Sequence, residues 1–98
     1  MSGQSVNLDP RTHAVRPDLA DVRLAELVFA PHYAAPVLRT VARTISLRAN
    51  RQADAAVLAT MQPGDGFELL DLVGNDGWGI SVKEGLVGYL EAAALVAA

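Results

Sequence analysis

The C-terminal half of the chain alternates between short apolar runs and tight turn signals. Apolar runs cover residues 67–73, 78–82 and 86–90, and they are separated by residues 74–77, Gly-Asn-Asp-Gly, and by Glu84-Gly85. Such turn residues accept a positive φ angle, and the runs are rich in β-branched and aromatic residues. The pattern therefore predicts a meander of three antiparallel strands.

The spacing of apolar residues also predicts how these strands face. Alternation in the second run separates two sets of residues, with Trp78, Ile80 and Val82 on the apolar face, expected to point inward, and Gly79, Ser81 and Lys83 on the other. The first run breaks the alternation, because Phe67 and Leu69 fit one face while Leu70 and Leu72 fit the opposite one. Either both faces of this strand are covered, or a bulge shifts its register near Leu69.

The N-terminal half combines one helical pattern with extended segments. Pro17 suits a first helical turn, Asp18 and Asp21 lie near the positive end of the dipole, and apolar residues follow at helical spacing. This predicts a helix over residues 17–28, ended by Pro31. Residues 29–38 form an extended connector, residues 39–48 a strand, and residues 48–62 a long loop with a hairpin around residues 56–61.

The elements define three regions of a mainly β protein. Residues 1–16 are polar, without periodicity, and are predicted to be a flexible arm. Residues 17–38 hold the helix and connector, and residues 39–98 form a small barrel. After the meander, residues 91–95 are predicted to form a 3₁₀ turn and residues 96–98 a last strand. This order is that of an SH3-like barrel with an N-terminal helical extension.

Composition narrows the function classes. The 98 residues include 8 basic and 11 acidic side chains, and a net charge of −3 gives no reason to expect nucleic acid or an anionic membrane as partner. The absence of cysteine excludes a cysteine nucleophile and thiolate metal sites, and His13 and His32 are not at metal-ligand spacing, so neither metal nor cofactor is expected. Without an apolar signal segment, a cytoplasmic location is expected.

Several motifs resemble a known family. Leu47-Arg48, Pro63-Gly64-Asp65, Gly77-Trp78 and Gly88-Tyr89-Leu90 with Leu95 resemble the bacterial SH3-like domain. Asp9-Pro10-Arg11 and residues 16–21 are similar to the N-terminal region of dipeptidyl-peptidase-type cell-wall hydrolases, whose catalytic domain is an NlpC-type cysteine peptidase. The resemblance implies a non-catalytic domain of a longer enzyme, because no catalytic triad is present. Its implied partners are that catalytic domain in cis and a murein peptide.

The resemblance implies a peptide-binding surface. In the related enzymes the domain helps to shape the pocket for the free L-Ala-γ-D-Glu end of a murein peptide. Trp78, Tyr89 and Tyr33 are the candidates for an aromatic wall, and Asp18 and Asp21 are the main candidates for its ammonium group, with Asp71 and Glu91 as others. The alternatives are a packing role for Trp78 and a helix-end role for Asp18 and Asp21. Four arginines, Arg39, Arg43, Arg48 and Arg51, are interpreted as a solvated face with local acidic partners.

Two function classes remain open at this point. The first is a non-catalytic domain that shapes or targets murein-peptide binding in a γ-D-glutamyl-diamino acid hydrolase. The second is a stand-alone module that binds an extended or proline-rich peptide in an aromatic groove. The first class predicts an exposed apolar patch for the catalytic domain, with Leu38, Leu70, Leu72 and Val87 as candidates. Dimerisation through that patch is a third possibility.

Overall fold

The computed structural model describes residues 12–16, 19–24, 32–52 and 54–98, and its largest feature is a seven-stranded antiparallel sheet. The strands in chain order are β1 (Leu19–Asp21), β2 (His32–Ala34), β3 (Val37–Val41), β4 (Ile45–Arg48), β5 (Val57–Met61), β6 (Gly66–Val73), β7 (Asp76–Ser81), β8 (Val87–Glu91) and β9 (Leu95–Ala97). The sheet has the order β5-β4-β8-β7-β6-β3-β9, and β1 and β2 form a separate parallel pair. The predicted mainly β class is confirmed.

The predicted meander is formed by β6, β7 and β8, which pair in succession. Its two turns contain Gly74 and Gly85, whose φ angles of 60° and 69° lie in the left-handed region. A residue with a Cβ atom is strained there, so these glycines let the chain reverse within a few residues. The 3₁₀ turn Ala92–Ala94 and strand β9 follow, as the sequence predicts.

Two apolar clusters cover the two faces of the sheet. The inner cluster consists of Val41, Leu47, Met61, Phe67 and Leu90, and the outer cluster consists of Ala14, Leu70, Trp78 and Val87. Ala59 of edge strand β5 and Leu95 of edge strand β9 both pack against the inner cluster. The sheet therefore curls around the inner cluster, and both of its edges contribute to one core.

The predicted irregularity in β6 is a bulge. The pairing with β7 shifts between Leu69, which lies opposite Gly79, and Asp71, which lies opposite Trp78. Leu70 is the extra residue, and the bulge places Leu70 and Asp71 on the same face as Trp78, which interrupts the alternation of the strand. Leu69 packs against the inner cluster and Leu70 belongs to the outer one. Both alternatives raised by the sequence are thus confirmed, since the strand is bulged and both of its faces are covered.

The inner face of β7 is made of small residues, which reverses the orientation predicted from its apolar pattern. Gly77, Gly79 and Ser81 are buried, and a Cβ atom on Gly79 would lie 2.9 Å from the ring of Phe67. The phenylalanine of the neighbouring strand fills the space that a larger β7 side chain would need. Trp78 belongs to the outer cluster instead, so the expectation that it points into the sheet's interior is wrong.

The strand predicted over residues 39–48 is divided into β3 and β4. In the sheet, β3 lies between β6 and β9, whereas β4 lies between β5 and β8. The backbone N–H of Ala42 donates to the carbonyl of Ala94 at 2.7 Å, where the chain leaves β3. Strand β5 pairs antiparallel with β4, so residues 57–61 form one strand of the sheet, and the hairpin predicted around residues 56–61 within a long loop is wrong.

The helix predicted over residues 17–28 is wrong in its described part, and no α-helix occurs in the described ranges. Residues 19–21 form strand β1, and Val22–Leu24 form one 3₁₀ turn. The carboxylate of Asp21 accepts a hydrogen bond of 3.0 Å from the backbone N–H of Arg23, and such a local bond competes with helix formation. Residues 17, 18 and 25–28 lie outside the described residues.

The last residues of the predicted flexible arm belong to the folded structure. Ala14 is buried in the outer cluster, and Val15 forms an antiparallel bridge with Ala20. The N–H of Asp21 donates to the carbonyl of Ala14 at 2.9 Å. Residues 12–16 are therefore packed against the sheet, whereas residues 1–11 lie outside the described residues. The predicted start of the barrel, residue 39, falls inside β3.

Candidate ligand groove

An open groove of about 730 Å³ lies where the β6–β7 turn meets β4 and the 3₁₀ turn after β8. Three charged side chains line it, those of Arg48, Asp76 and Glu91. Asn75 and the exposed Leu72 lie at its wall as well. The groove therefore combines side chains of both charges with an apolar surface.

Asp76 is held between two arginines. The Nη2 atom of Arg48 donates to one carboxylate oxygen at 2.8 Å, and Nε of Arg51 donates to the other at 3.1 Å. The side chain of Asp76 is 15% exposed and that of Arg48 is 23% exposed, whereas that of Arg51 is 46% exposed. These bonds connect the β6–β7 turn to β4 and to the loop that follows β4.

Glu91 lies directly opposite Asp76 in the β7–β8 pairing. Two like charges at facing positions repel each other. Here the repulsion is offset, because Asp76 pairs with Arg48 and Arg51 and Glu91 pairs with Arg43. Glu91 forms an exposed ion pair with Arg43, and the side chain of Glu91 is 48% exposed. Exposed pairs of this kind are weak, so Glu91 is available to another cation. The predicted local acidic partners are confirmed for Arg43, Arg48 and Arg51.

Trp78, a predicted ligand-binding residue, is only 3% exposed. The guanidinium of Arg16 lies over its ring, 4.5 Å from the ring centroid. The same guanidinium donates to Asp71 at 2.8 Å. A cation of the protein itself thus stacks on the indole and pairs with the neighbouring carboxylate, and the packing role considered for Trp78 agrees with this geometry.

Tyr89 connects the outer cluster with the groove. It lies opposite Trp78 in β7 and opposite Arg48 in β4. Facing residues of antiparallel strands point to the same side of a sheet, so the three side chains form a row on the outer face. Tyr89 is partly buried and packs against the outer cluster, which places it beside Arg48 and the groove.

Asp21, another predicted ligand-binding residue, is 3% exposed and bonded to the chain's own arginine. The Nε atom of Arg23 donates to its Oδ2 at 2.9 Å, and Nη2 of Arg23 also reaches Glu68 at 2.8 Å. The hydrogen bond with Asp21, and then that with Glu68, raises the pKa of Arg23 above its ordinary value. The described structure therefore gives the Asp21 carboxylate an intramolecular cation as partner.

Removal of the Arg23 side chain is expected to destabilise the domain. Arg23→Ala leaves the buried carboxylate of Asp21 without its guanidinium partner, at a cost of about 1–3 kcal/mol in the free energy of unfolding. The measurement is chemical denaturation followed by circular dichroism. Lys83→Ala, an exposed turn position, serves as the control and is expected to change the stability by less than about 0.5 kcal/mol. Equal stability of the two variants would contradict a structural role for this pair.

Asp18 lies outside the described residues, as does the side chain of Tyr33, whose backbone pairs with Ala20. Among the candidates that the structure describes, Glu91 lines the groove and Tyr89 lies next to it, whereas Trp78, Asp21 and Asp71 are not part of its lining. Sequence reasoning placed Asp76 in a turn and Arg48 on a solvated face. The hairpin turn before β7 was visible in the sequence and places Asp76 at the start of a strand. It does not indicate that Arg48 and Arg51, distant in sequence, lie beside Asp76.

Within the described ranges, no cluster of three or more histidine or carboxylate side chains is arranged to hold a metal ion. The same residues include no helix long and apolar enough to cross a membrane. Comparison with protein-family models, with curated proteins and with solved structures finds no match.

Proposed function

We propose that this chain is the non-catalytic SH3-like domain of a bacterial cell-wall peptide hydrolase, where it shapes murein-peptide binding beside an NlpC-type catalytic domain in cis. The observation on which the proposal rests is the pairing of β9 with β3. The chain passes from β3 through the β4–β5 hairpin and the β6–β8 meander, then through a 3₁₀ turn to β9 beside β3. This order resembles that of an SH3-like barrel, in agreement with the Gly77-Trp78 and Gly88-Tyr89 motifs.

The charges of the groove support a peptide ligand with a free amino end. A murein peptide that begins with L-Ala-γ-D-Glu has one ammonium group at that end and carboxylates farther along. Glu91 is the half-exposed carboxylate in the groove, and a charge-assisted hydrogen bond to an ammonium is stronger than a neutral one. Glu91 is therefore the proposed partner of the peptide's ammonium group.

Exposed apolar side chains support a partner domain. Leu38 and Leu72, both expected on the docking patch, are 53% and 61% exposed. Leu70 and Val87, the other two candidates, are buried in the outer cluster, so the predicted patch is wrong for them. Val37 is also exposed and lines a hollow of about 300 Å³ together with Leu72. An intramolecular interface would cover such residues.

The alternative, a stand-alone module for proline-rich peptides, requires exposed aromatic side chains. Trp78 is buried and Tyr89 is partly buried. Since the described part of the chain offers no exposed aromatic groove, the hydrolase-domain proposal is the better supported one. A proline-rich peptide is the appropriate control ligand.

Substitution of Glu91 tests the proposal. A proton–nitrogen NMR titration of the labelled chain with L-Ala-γ-D-Glu-diamino acid is expected to shift the amide signals of Asn75, Glu91 and Ala92. Glu91→Gln is expected to weaken binding about tenfold, because the ammonium loses a charged acceptor. Glu84→Gln is the matched control, since Glu84 lies in the exposed β7–β8 turn, and it is expected to leave the affinity unchanged.

Other outcomes of the titration decide against the proposal. Shifts with the proline-rich peptide alone would favour the interaction module. Absence of shifts with the murein peptide, or equal affinities for Glu91→Gln and the unaltered chain, would contradict Glu91 as the ammonium partner.

A further inference from the structure

We infer that Arg48, supported by Arg51, binds a carboxylate of the ligand in the groove. The inference rests on the proposed function, which supplies a peptide with carboxylates as the ligand. Its basis is the arrangement of two guanidinium groups around the single carboxylate of Asp76.

The two arginines keep hydrogen-bond donors that Asp76 does not use. A guanidinium has five N–H donors in a planar fork. Arg48 donates through Nη2 and Arg51 through Nε, each to one oxygen of Asp76, and neither side chain donates to another described residue. Because no buried side-chain nitrogen or oxygen lacks a partner among the described residues, the unused donors of Arg48 reach solvent. A second carboxylate can therefore bind to them.

The surroundings of Arg48 favour a bond to a ligand carboxylate. Arg48 is the guanidinium that lines the groove, beside the carboxylates of Asp76 and Glu91. Arg51 and Arg43, which lie outside the lining, form ion pairs with these two carboxylates. Arg48 is also mostly withdrawn from solvent, where a charge-assisted hydrogen bond is stronger than at an exposed position.

Asp76 acts as a positioning residue for this site. Its bond to Nη2 fixes the plane of the Arg48 guanidinium, and a pre-oriented fork loses less entropy when a ligand binds. Glu91 lies directly opposite Asp76 in the strand pairing, and Arg48 lies opposite Tyr89, two residues before Glu91. Arg48 and Glu91 are therefore diagonal neighbours on adjacent strands, roughly 7–8 Å apart, and a cation and an anion at this spacing suit a zwitterionic peptide.

The test compares ligands that differ in one carboxylate. The labelled chain is titrated with L-Ala-γ-D-Glu-diamino acid and with two analogues, one amidated at the D-glutamyl α-carboxyl and one at the C-terminal carboxyl. We expect one amide to bind the unaltered chain about tenfold more weakly than the acid, because a charged acceptor is lost. That amide identifies which carboxylate occupies the site.

Two variants link the difference to the arginines. Arg48→Gln and Arg51→Gln are expected to bind the acid more weakly but the discriminating amide as before, so that the tenfold preference disappears. Lys83→Gln removes one positive charge from the exposed β7–β8 turn and is expected to retain the preference. The amide spectrum of each variant verifies its fold, and Arg51, being half exposed, provides a test that leaves the fold intact.

The inference and the proposed function fail in different ways. If the acid and both amides bind equally, or if the preference survives in both arginine variants, the carboxylate site is overturned while murein-peptide binding stands. If none of the peptides binds, the proposed function fails, and a titration with acetate decides the inference alone. Shifts of the Arg48 Nε–Hε signal with acetate would support the site, and an unchanged signal would overturn it.

Discussion

Gly79→Ala is expected to lower the stability of the protein strongly. The added Cβ atom would lie 2.1 Å from the carbonyl oxygen of Glu68 and 2.9 Å from the ring of Phe67. The carbonyl belongs to the paired strand and cannot move without breaking the sheet, so the cost lies at or above the upper end of overpacking, about 3 kcal/mol. For a domain of this size the melting temperature should fall by about 12 °C or more, measured by circular dichroism.

Gly66→Ala is the matched control for this prediction. Gly66 lies in the neighbouring strand, and a Cβ atom there would contact the side chain of Val82 at 3.2 Å. Val82 is 55% exposed and is free to shift, so the expected change in stability is within about 1 kcal/mol. Similar melting temperatures for the two alanine variants would contradict the close contact between β6 and β7.

Trp78→Ala is expected to lower the free energy of unfolding by about 3–5 kcal/mol, the usual cost of truncating a buried large aromatic side chain. The substitution removes the centre of the outer cluster and the surface on which Arg16 stacks. Since total stabilities are about 5–15 kcal/mol, the variant should lose a large share of the free energy of unfolding. Denaturant titration followed by circular dichroism measures the loss, because the protein has no other tryptophan for fluorescence.

Trp78→Phe separates packing from a direct role in binding. Phenylalanine retains an aromatic ring beneath the Arg16 guanidinium and is expected to recover more than half of the lost stability. If Trp78→Ala instead remained stable but lost its affinity for the murein peptide, Trp78 would be a ligand-binding residue and the packing interpretation would be wrong.

The meander was predictable because its signals are local. Gly74 and Gly85 supply the positive φ angles of the two turns, and the strands between them are short and rich in β-forming residues. The bulge at Leu70 was also visible, since a break in alternation within one run has few structural explanations. These features depend on neighbouring residues alone, and local reasoning therefore finds them.

Local signals did not predict which face of β7 is buried, nor the strand and 3₁₀ turn of residues 19–24. Alternation predicts which residues of β7 share a face but not which face is the inner one. The ring of Phe67 in the adjacent strand leaves room only for a glycine at position 79, so Trp78 points to the outer face. Likewise, helical spacing in residues 19–24 is overridden by pairing with β2 and by the bonds between Asp21 and Arg23. Both outcomes depend on residues distant in sequence or on side-chain bonds that apolar spacing does not encode.

The groove depends on distant residues to an even greater extent. Arg48 and Asp76 are adjacent only because β4 pairs with β8 and β8 with β7. The sequence gives each residue's chemistry but not the strand order that brings them together. The sequence therefore proposed Glu91 as a candidate carboxylate but not its neighbours in the groove, Arg48 and Asp76.

The pairing of β3 with β9 has a consequence for synthesis of the chain. Arg39 of β3 faces Ala97 of β9. Strand β3 is the first strand of the large sheet in chain order, and one of its two neighbours is β9, the last one. Proteins dominated by such distant pairings fold on the order of milliseconds to seconds, because long loops must close first. During translation this edge of β3 stays unpaired until β9 has been synthesised, and an unpaired strand edge makes a nascent chain prone to aggregation.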